Sequence, residues 1–468
     1  MDAAAHHNDY DAVIVGGGPA GLFCALSLGE NTSARVLLVE QGQGPEKRLC
    51  PLNDKAGKCL GCDPCQILSG VGGAGLFSDG KLNFIPRLGK TDLTQFVGRE
   101  GAETLIDQTE QIFNRFGMDA PAYPTDMDAA REIRKNARRH GVELLLIRQK
   151  HLGSDRLPNH IRDMVDEIGK RVTIHTGEKA KDVVVEGGRV KAVVTDKATY
   201  RCKYAVLAPG RSGAEWVARV AAAHGIDVSQ RGIEVGVRVE VHHETMADLC
   251  RVIYDPTFFI QTRKYDDQTR TFCTNHRGYV VRETYRDFAC VNGHAFRDKK
   301  SENTNFALLS KVVLNEPVTD NQAYGEAIGR LASVVGGGLP ILQRYGDLKR
   351  GRRSTWSRVK KSWVSPTFTH VVCGDIAMAL TERITANLVE ALERLNMVIP
   401  GVANDETLLY APEIKFFATQ VDTDGNLETS VRGLFMAGDG PGVAGNIVSA
   451  AATGLIPARE IARRLGEG

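Results

Sequence analysis

No run of about 18 consecutive apolar residues occurs in the chain, so no segment reads as a transmembrane helix. Neither sign of charge prevails, with 59 Lys and Arg against 57 Asp and Glu and a formal net charge of +2. That balance excludes an acidic disordered chain and argues against nucleic acid as the partner. The opening residues, MDAAAHHNDYDAVIV, lack the positive n-region of a secretory signal. The 10 cysteines are therefore expected in a reducing, cytoplasmic setting, where thiols serve metals or redox chemistry more often than bridges. There is no internal repeat, and the 49 glycines among 468 residues follow no G-X-Y period. Tight turns and close backbone–ligand contacts remain as their use. A chain of this length is expected to form two to four domains.

What is present first is a nucleotide-binding pattern. Residues 11–40 read DAVIVGGGPAGLFCALSLGENTSARVLLVE. An apolar strand runs into a glycine turn, a helix follows, and a second apolar strand ends on an acid 19 positions after the third glycine. This is the G-x-G-x-x-G βαβ fingerprint of a dinucleotide site. Gly16 makes the turn, Gly18 lets the backbone approach a pyrophosphate, and Gly21 lets helix and strand pack closely. Pro19 and Ala20 open the helix, whose N-terminus offers N–H donors to phosphate. Glu40 is placed to accept from a ribose hydroxyl.

Residues 86–170 read as mainly helical, over 100–116, 127–140 and up to 169 with Ser154 or Asp155 as cap. From 171 to 210 the segments VTIHT, KDVVVE, RVKAVVTD and YRCKYAVLAPG read as a β-meander returning to a parallel sheet, ending at Gly210. Residues 231–348 carry strand-like runs with a helix near 322–335. The chain then re-enters helical structure at 378–395. A short strand over 433–437 stops at Gly438-Asp439-Gly440, and a glycine-rich loop with Gly442 leads to a helix beginning near Asn446 and Ile447. An acid just past a strand can accept hydrogen bonds from sugar-alcohol hydroxyls, and the helix N-terminus favours negative charge before it.

These segments resemble the FAD-binding, two-domain flavoproteins of the glutathione-reductase-like superfamily. They are most similar to the FAD-dependent dehydrogenases of bacteria and chloroplasts whose reaction is poorly characterised. The shared marks are Cys50-Pro51 with Cys59, Cys62 and Cys65, then SGVGGAGLFSDGKLN at 69–83 and HLGSDRL at 151–157. VNGHAF at 291–296, NTNFALL at 303–309, YAPEIKF at 410–416 and AGDGPGVAGNIVSAAATG at 437–454 complete the set. The resemblance implies an α/β fold: a Rossmann-like FAD-binding domain with a β-meander, plus a second, mostly antiparallel β-sheet substrate domain. The expected boundaries are 9–230 for the first part of the FAD domain, with a Cys-rich loop at 50–65 and a helical insertion at 86–170. A substrate domain at 231–348 and a return to the FAD domain at 349–468 follow. It also implies an FAD-dependent oxidoreductase acting on a small molecule, with an electron donor or acceptor the sequence does not name. The flavin ring is expected between 72–78, where Gly73, Ala74 and Gly75 lie, and 441–447.

Disulfide reductases of that superfamily carry a second fingerprint for NAD(P). The nearest counterpart here, VVGGGLP at 334–340, lacks the third glycine at the right spacing. One dinucleotide domain is therefore expected.

Cys50, Cys59, Cys62 and Cys65 follow C-x8-C-x2-C-x2-C. Four thiolates suit an iron–sulfur cluster or tetrahedral zinc. A flavin-proximal redox thiol pair acting as electron relay, or a loop of unpaired thiols, fits the same spacing. The other cysteines read as small buried hydrophobes.

His151, His276 and His294 are the acid/base candidates. Lys81, Asp79, Asn303 and Asn305 sit in polar motifs amid apolar sequence, which suits a ligand pocket or simple turn chemistry. The segment 349–361, KRGRRSTWSRVKK, holds seven basic residues, and a solvated loop, an anion clamp and a nucleic-acid contact all fit it. An FAD-dependent nucleic-acid-modifying protein and a flavoprotein with purely structural FAD are the alternative functions.

Overall fold

The computed structural model of the chain describes residues 8–51, 60–78, 80–89, 91–152, 157–229, 232–285, 287–296, 299–315, 320–416 and 420–466. The chain forms two compact units, Met1–Pro121 with Lys150–Gln230 and Ala418–Gly468, and Ala122–Gln149 with Arg231–Phe417.

The first unit is built on a seven-stranded sheet. Its centre is the strand Asp9–Val15, parallel to Val36–Glu40 on one side and to Thr199–Leu207 on the other. Val13, Ile14, Leu37 and Leu38 are fully buried, as befits parallel strands covered on both faces. Ala180–Glu186, Arg189–Thr195 and Thr199–Leu207 form the expected meander, and Leu434–Met436 joins Thr199–Leu207 in parallel. The segment VTIHT is not part of the meander: Thr173–Thr176 pairs in parallel with Val36–Glu40. Alternation cannot tell a parallel neighbour from an antiparallel one, so sequence could not place it.

Two helices lie together on this sheet. Pro19–Asn31 begins with proline in its first turn, where the missing N–H is no loss. Ile447–Gly466 packs on it so closely that a Cβ on Gly454 would stand 2.0 Å from the Ala20 carbonyl oxygen. The expected helix at 100–116 starts earlier, as Thr94–Arg115, because Gly98 at φ 70° lets the chain kink without ending it.

The second unit carries an eight-stranded, mostly antiparallel sheet. Ile233–His242 lies between Asn303–Val312 and Leu408–Lys415, antiparallel to both. Two expected boundaries move. The strand Val142–Leu145 pairs with Thr257–Gln261, which draws 122–149 into this unit. Ile341–Arg344 pairs with Leu408–Lys415, so the return to the first unit comes after 417 and not at 349. Among the described residues no helix is long and apolar enough to cross a membrane.

Candidate cofactor site

The site in the first unit is a convergence of glycine loops at the ends of the parallel strands. Gly16, at φ 107°, lies so close to Ala208 that a Cβ would meet its carbonyl oxygen at 2.2 Å. Gly21 packs on the Gly16 carbonyl, 1.8 Å from where its Cβ would sit. These contacts give Gly16 and Gly21 the packing roles the fingerprint assigns. Gly18 is different: among the described residues the only atom within 4 Å of a Cβ there is Gly73 Cα, at 3.8 Å. Its openness is toward solvent space at the helix start, where Gly18 is the N-cap and no side chain caps the first turn. Backbone donors so left are an anion site.

The other expected segments reach the same place. Gly73, at φ 62°, faces Gly18 and Pro19, and Gly75 faces Ile447. Gly438 faces Ala20, and Gly440 abuts the Gly210 carbonyl oxygen. Gly442 N donates to Asp439 O, shaping the turn before the final helix. Asp439 Oδ2 accepts from Arg211 Nε at 3.1 Å. Asn446 Oδ1 accepts from Ser449 N at 2.9 Å, while its Nδ2 is buried without a hydrogen-bond partner. Ala74 starts the short helical turn Ala74–Phe77. Beside Pro19, Leu76 and Ile447 lies a small apolar cavity of about 20 Å³, reaching Phe23 and Phe113.

Glu40 is 6% exposed. One carboxylate oxygen accepts from Gly17 N at 2.7 Å, the other from Gly42 N at 2.8 Å and Gly70 N at 2.9 Å. It thus fastens the fingerprint loop to the 69–83 loop. A carboxylate has about four acceptor directions, so capacity for a ribose hydroxyl remains.

Arg48 was not signalled by any motif. It is 2% exposed, and its guanidinium donates to the carbonyls of Gln66, Ile67, Gly70, Val71 and Gly73. Burial pulls it down to about 10, against the opposing pull of Glu40 and Cys65. It remains a cation at neutral pH and holds the 66–73 loop in shape.

The cysteine candidates lie next to that loop. Cys59 lies outside the described residues. Cys50, Cys62 and Cys65 are free thiols, and among the described residues they form no grouping able to hold a metal. Leu68 N and Ser69 N both donate to Cys65 O, which joins the cluster directly to the Gly70 turn.

The catalytic candidates divide between the units. Lys81, in the strand Lys81–Phe84, and His151, ending Arg148–His151, belong to the first. His294, Asn303 and Asn305 belong to the second. Asp79 lies outside the described residues, as do Ser154 and Asp155. Asn303 and Asn305 are 3% and 0% exposed. Asn303 Nδ2 donates to Ser365 O, and Asn305 Oδ1 accepts from Arg238 Nη1. The amides are built into the sheet's interior, because they lie in the central strand Asn303–Val312. Burial, with His243, Lys300 and Arg277 nearby, pulls His276 down to about 4, so it is neutral at pH 7.

The basic run is largely answered by its own unit. Lys349 pairs with Glu393, Arg350 with Asp405, and Arg352 and Arg358 with Asp347. Charges satisfied in this way favour the structural reading of the segment over a nucleic-acid contact.

In comparison with known proteins, two family matches fall one in each unit. Residues 11–47 match the family described as FAD binding domain, and residues 233–415 the family described as FAD-dependent protein, C-terminal domain-like. An uncharacterized protein of Clostridium beijerinckii is 25% identical over 475 residues, covering 96% of this chain and 80% of that protein. Among solved structures, the chain is similar to L-proline dehydrogenase of P. horikoshii, with 12% identity, TM-score 0.42 and coverage of 98% and 94%. Similarity extends to glycine oxidase of Geobacillus kaustophilus, at 14% identity, TM-score 0.39 and coverage of 97% and 95%. The fold is α/β, with a Rossmann-like FAD-binding domain and an additional antiparallel-sheet domain.

Proposed function

We propose that this FAD-dependent oxidoreductase transfers hydride between a small-molecule substrate and N5 of FAD. The observation that carries this reading is the open Gly18 facing Gly73 at an uncapped helix start, with the Asn446 amide nitrogen buried and unpartnered nearby in the same unit. A closed structural turn needs neither. Bound FAD supplies a two-electron acceptor.

The chain's own residues supply the rest. The N–H groups at the start of Pro19–Asn31 hold a pyrophosphate, and Glu40 accepts from the ribose. Asp439, positioned by Arg211, would accept from the ribityl chain. The 72–75 turn and the segment ending at Ile447 flank the ring, with the start of Ile447–Gly466 directing its positive dipole end there. The apolar lining from Phe23 to Ile447 keeps water from that side. Lys81 and His151 in the first unit, and His294 in the second, are the side chains assigned to substrate protons. Asn303, which donates to Ser365 O, and Asn305, which accepts from Arg238, act through the sheet. Cys50, Cys59, Cys62 and Cys65 are assigned to electron relay, as redox thiols or as ligands of zinc or an iron–sulfur cluster.

Anaerobic titration of the purified protein tests this. One FAD per chain, reduced by two electrons, is expected. A flavin that no donor reduces would leave FAD a structural role. Uptake beyond two electrons that is lost in the Cys62→Ser/Cys65→Ser variant would mark the relay. A variant unchanged in metal content, stoichiometry and potential would remove it.

A further inference from the structure

The second unit contains a group of side chains that the flavin chemistry does not use. His242 ends the strand Ile233–His242, and His243 is the N-cap of the helix Glu244–Val252. Consecutive side chains on a continuing strand would point to opposite faces. Here the chain leaves the extended conformation at His243, at φ −58° and ψ −32°, and both rings come to one side. Their centroids are 4.8 Å apart, at 32°. One nitrogen of each ring and one Glu244 oxygen all lie within 4.8 Å of one another.

Three further contacts prepare these groups as ligands. His242 Nδ1 is buried, makes no hydrogen bond among the described residues and lies 3.5 Å from Glu244 Oε2, a costly arrangement for a polar atom that a shared ligand would relieve. His243 Nε2 lies 3.3 Å from Glu302 Oε2, and Glu302 is itself held by Arg277 at 2.8 Å. A carboxylate behind the second ring nitrogen fixes the tautomer and turns the other lone pair outward, as at many metal-bound histidines. Trp363 lies against the His242 ring at 4.9 Å between centroids and restricts its rotation.

We propose that His242, His243 and Glu244 form a binding site for a divalent transition-metal ion, oriented by Glu302. Two imidazoles and one carboxylate suit zinc and its neighbours and do not suit magnesium or calcium, which require oxygen donors. Bonds of about 2.0–2.1 Å place tetrahedral ligands roughly 3.4 Å apart. Glu244, with its side chain 73% exposed, is free to close the remaining gap. Three protein ligands leave a fourth position open to water or a small anion.

The test is zinc titration of the chelator-treated, FAD-loaded full-length protein by calorimetry, with magnesium as control. The parent is expected to bind zinc at this site and no magnesium. His242→Gln and His243→Gln should each lower zinc affinity at least tenfold, and Glu302→Gln about tenfold with the stoichiometry kept. Zinc held by the cysteines would be indifferent to these changes, so the difference from the parent is the reading. Glu244→Ala, at an exposed position, covers the case in which a histidine variant misfolds. Parent affinity and stoichiometry in the Glu244 variant and in every folded histidine variant would overturn the proposal, as would a parent that binds no zinc.

Discussion

Glu40 Oε2 accepts the Gly17 N–H at 2.7 Å, and its other oxygen accepts from Gly42 and Gly70. A single buried carboxylate therefore joins the fingerprint loop to the loop expected beside the flavin ring. Glu40→Gln presents an NH₂ group to backbone donors and leaves at least one of them unpaired. The expected cost is about 1–3 kcal/mol of stability. FAD affinity should fall tenfold or more, since about 1.4 kcal/mol is a factor of ten. Flavin release by equilibrium dialysis, set against a thermal melt, measures both; parent values in both would remove Glu40 from the site.

Gly18 and Gly21 should fail differently. A Cβ at Gly18 meets no described protein atom closer than 3.8 Å, so Gly18→Val should fold and lose FAD. A Cβ at Gly21 would stand 1.8 Å from the Gly16 carbonyl oxygen, so Gly21→Ala should disturb the fold itself. Circular dichroism with bound-flavin content separates the two. Normal FAD content in Gly18→Val would put the pyrophosphate elsewhere.

Arg48→Met should loosen the 66–73 loop. It removes a buried cation from five backbone carbonyls and supplies no donor in exchange. Loss of hydrogen bonds from a charged group costs about 1.5–3 kcal/mol each at most, and relaxation toward water recovers part of it. Faster proteolysis within 60–75 and weaker FAD retention are expected, with the second unit's sheet unaffected. Arg48→Lys should restore little, because one ammonium cannot reproduce the planar fork.

The glycine fingerprint, both sheets and the long helices were legible because each is a local pattern. Helix 127–140 appears as Met127–Arg139, with Asp126 accepting from Asp128 N and Ala129 N at its start. Four separate glycine segments were also found, but not that Gly18 meets Gly73 or Gly440 meets Gly210, since loop meetings depend on strand order. Arg48 left no signal: an arginine before Cys50 looks like any surface charge until the loop folds around it. Asn303 and Asn305 show the opposite case, polar residues whose partners the sequence did not reveal. Polar residues in an apolar run suggest a pocket; Asn303 donates to Ser365 O and Asn305 accepts from Arg238 within the buried sheet. His242 and His243 carry no signal of their own, because alternation along a strand would separate them.

Arg238 and Glu413 are both fully buried and meet through two hydrogen bonds, at 2.7 and 2.8 Å. Burial raises the Glu413 carboxyl, but Arg238 and Lys415 overcome it and hold it below its ordinary value. The unfolded chain then binds the proton more readily than the folded one. The stability this contributes is present above the ordinary glutamate range near 4.5 and is lost as pH falls through the lower folded value. Glu413→Gln should flatten that acid limb. At pH 7 it should cost about 3–5 kcal/mol, because Arg238 is left buried without its counter-charge. Thermal melts of parent and variant from pH 3 to 7 show both; an unaltered acid limb would assign it to other carboxylates.

Nicotinamide should bind weakly. The sequence VVGGGLP does not open a helix after a strand: Asn321–Val335 is a helix, Gly336–Gly338 follow its end, and Ile341–Arg344 is the strand beyond. The order is the reverse of a dinucleotide fingerprint. The glycines meet the C-terminal end of the helix, whose partial negative charge repels phosphate. Gly336 N and Gly338 N already donate to the Ala332 and Ser333 carbonyls, so they close the helix and leave no nest for an anion. Stopped-flow reduction by NADH or NADPH should therefore saturate only near a Kd on the order of 0.1 mM or higher. Saturation at micromolar concentrations would require a nicotinamide site built from other residues. Replacing Gly337 or Gly338 would then leave that saturation unchanged, because neither touches the ligand.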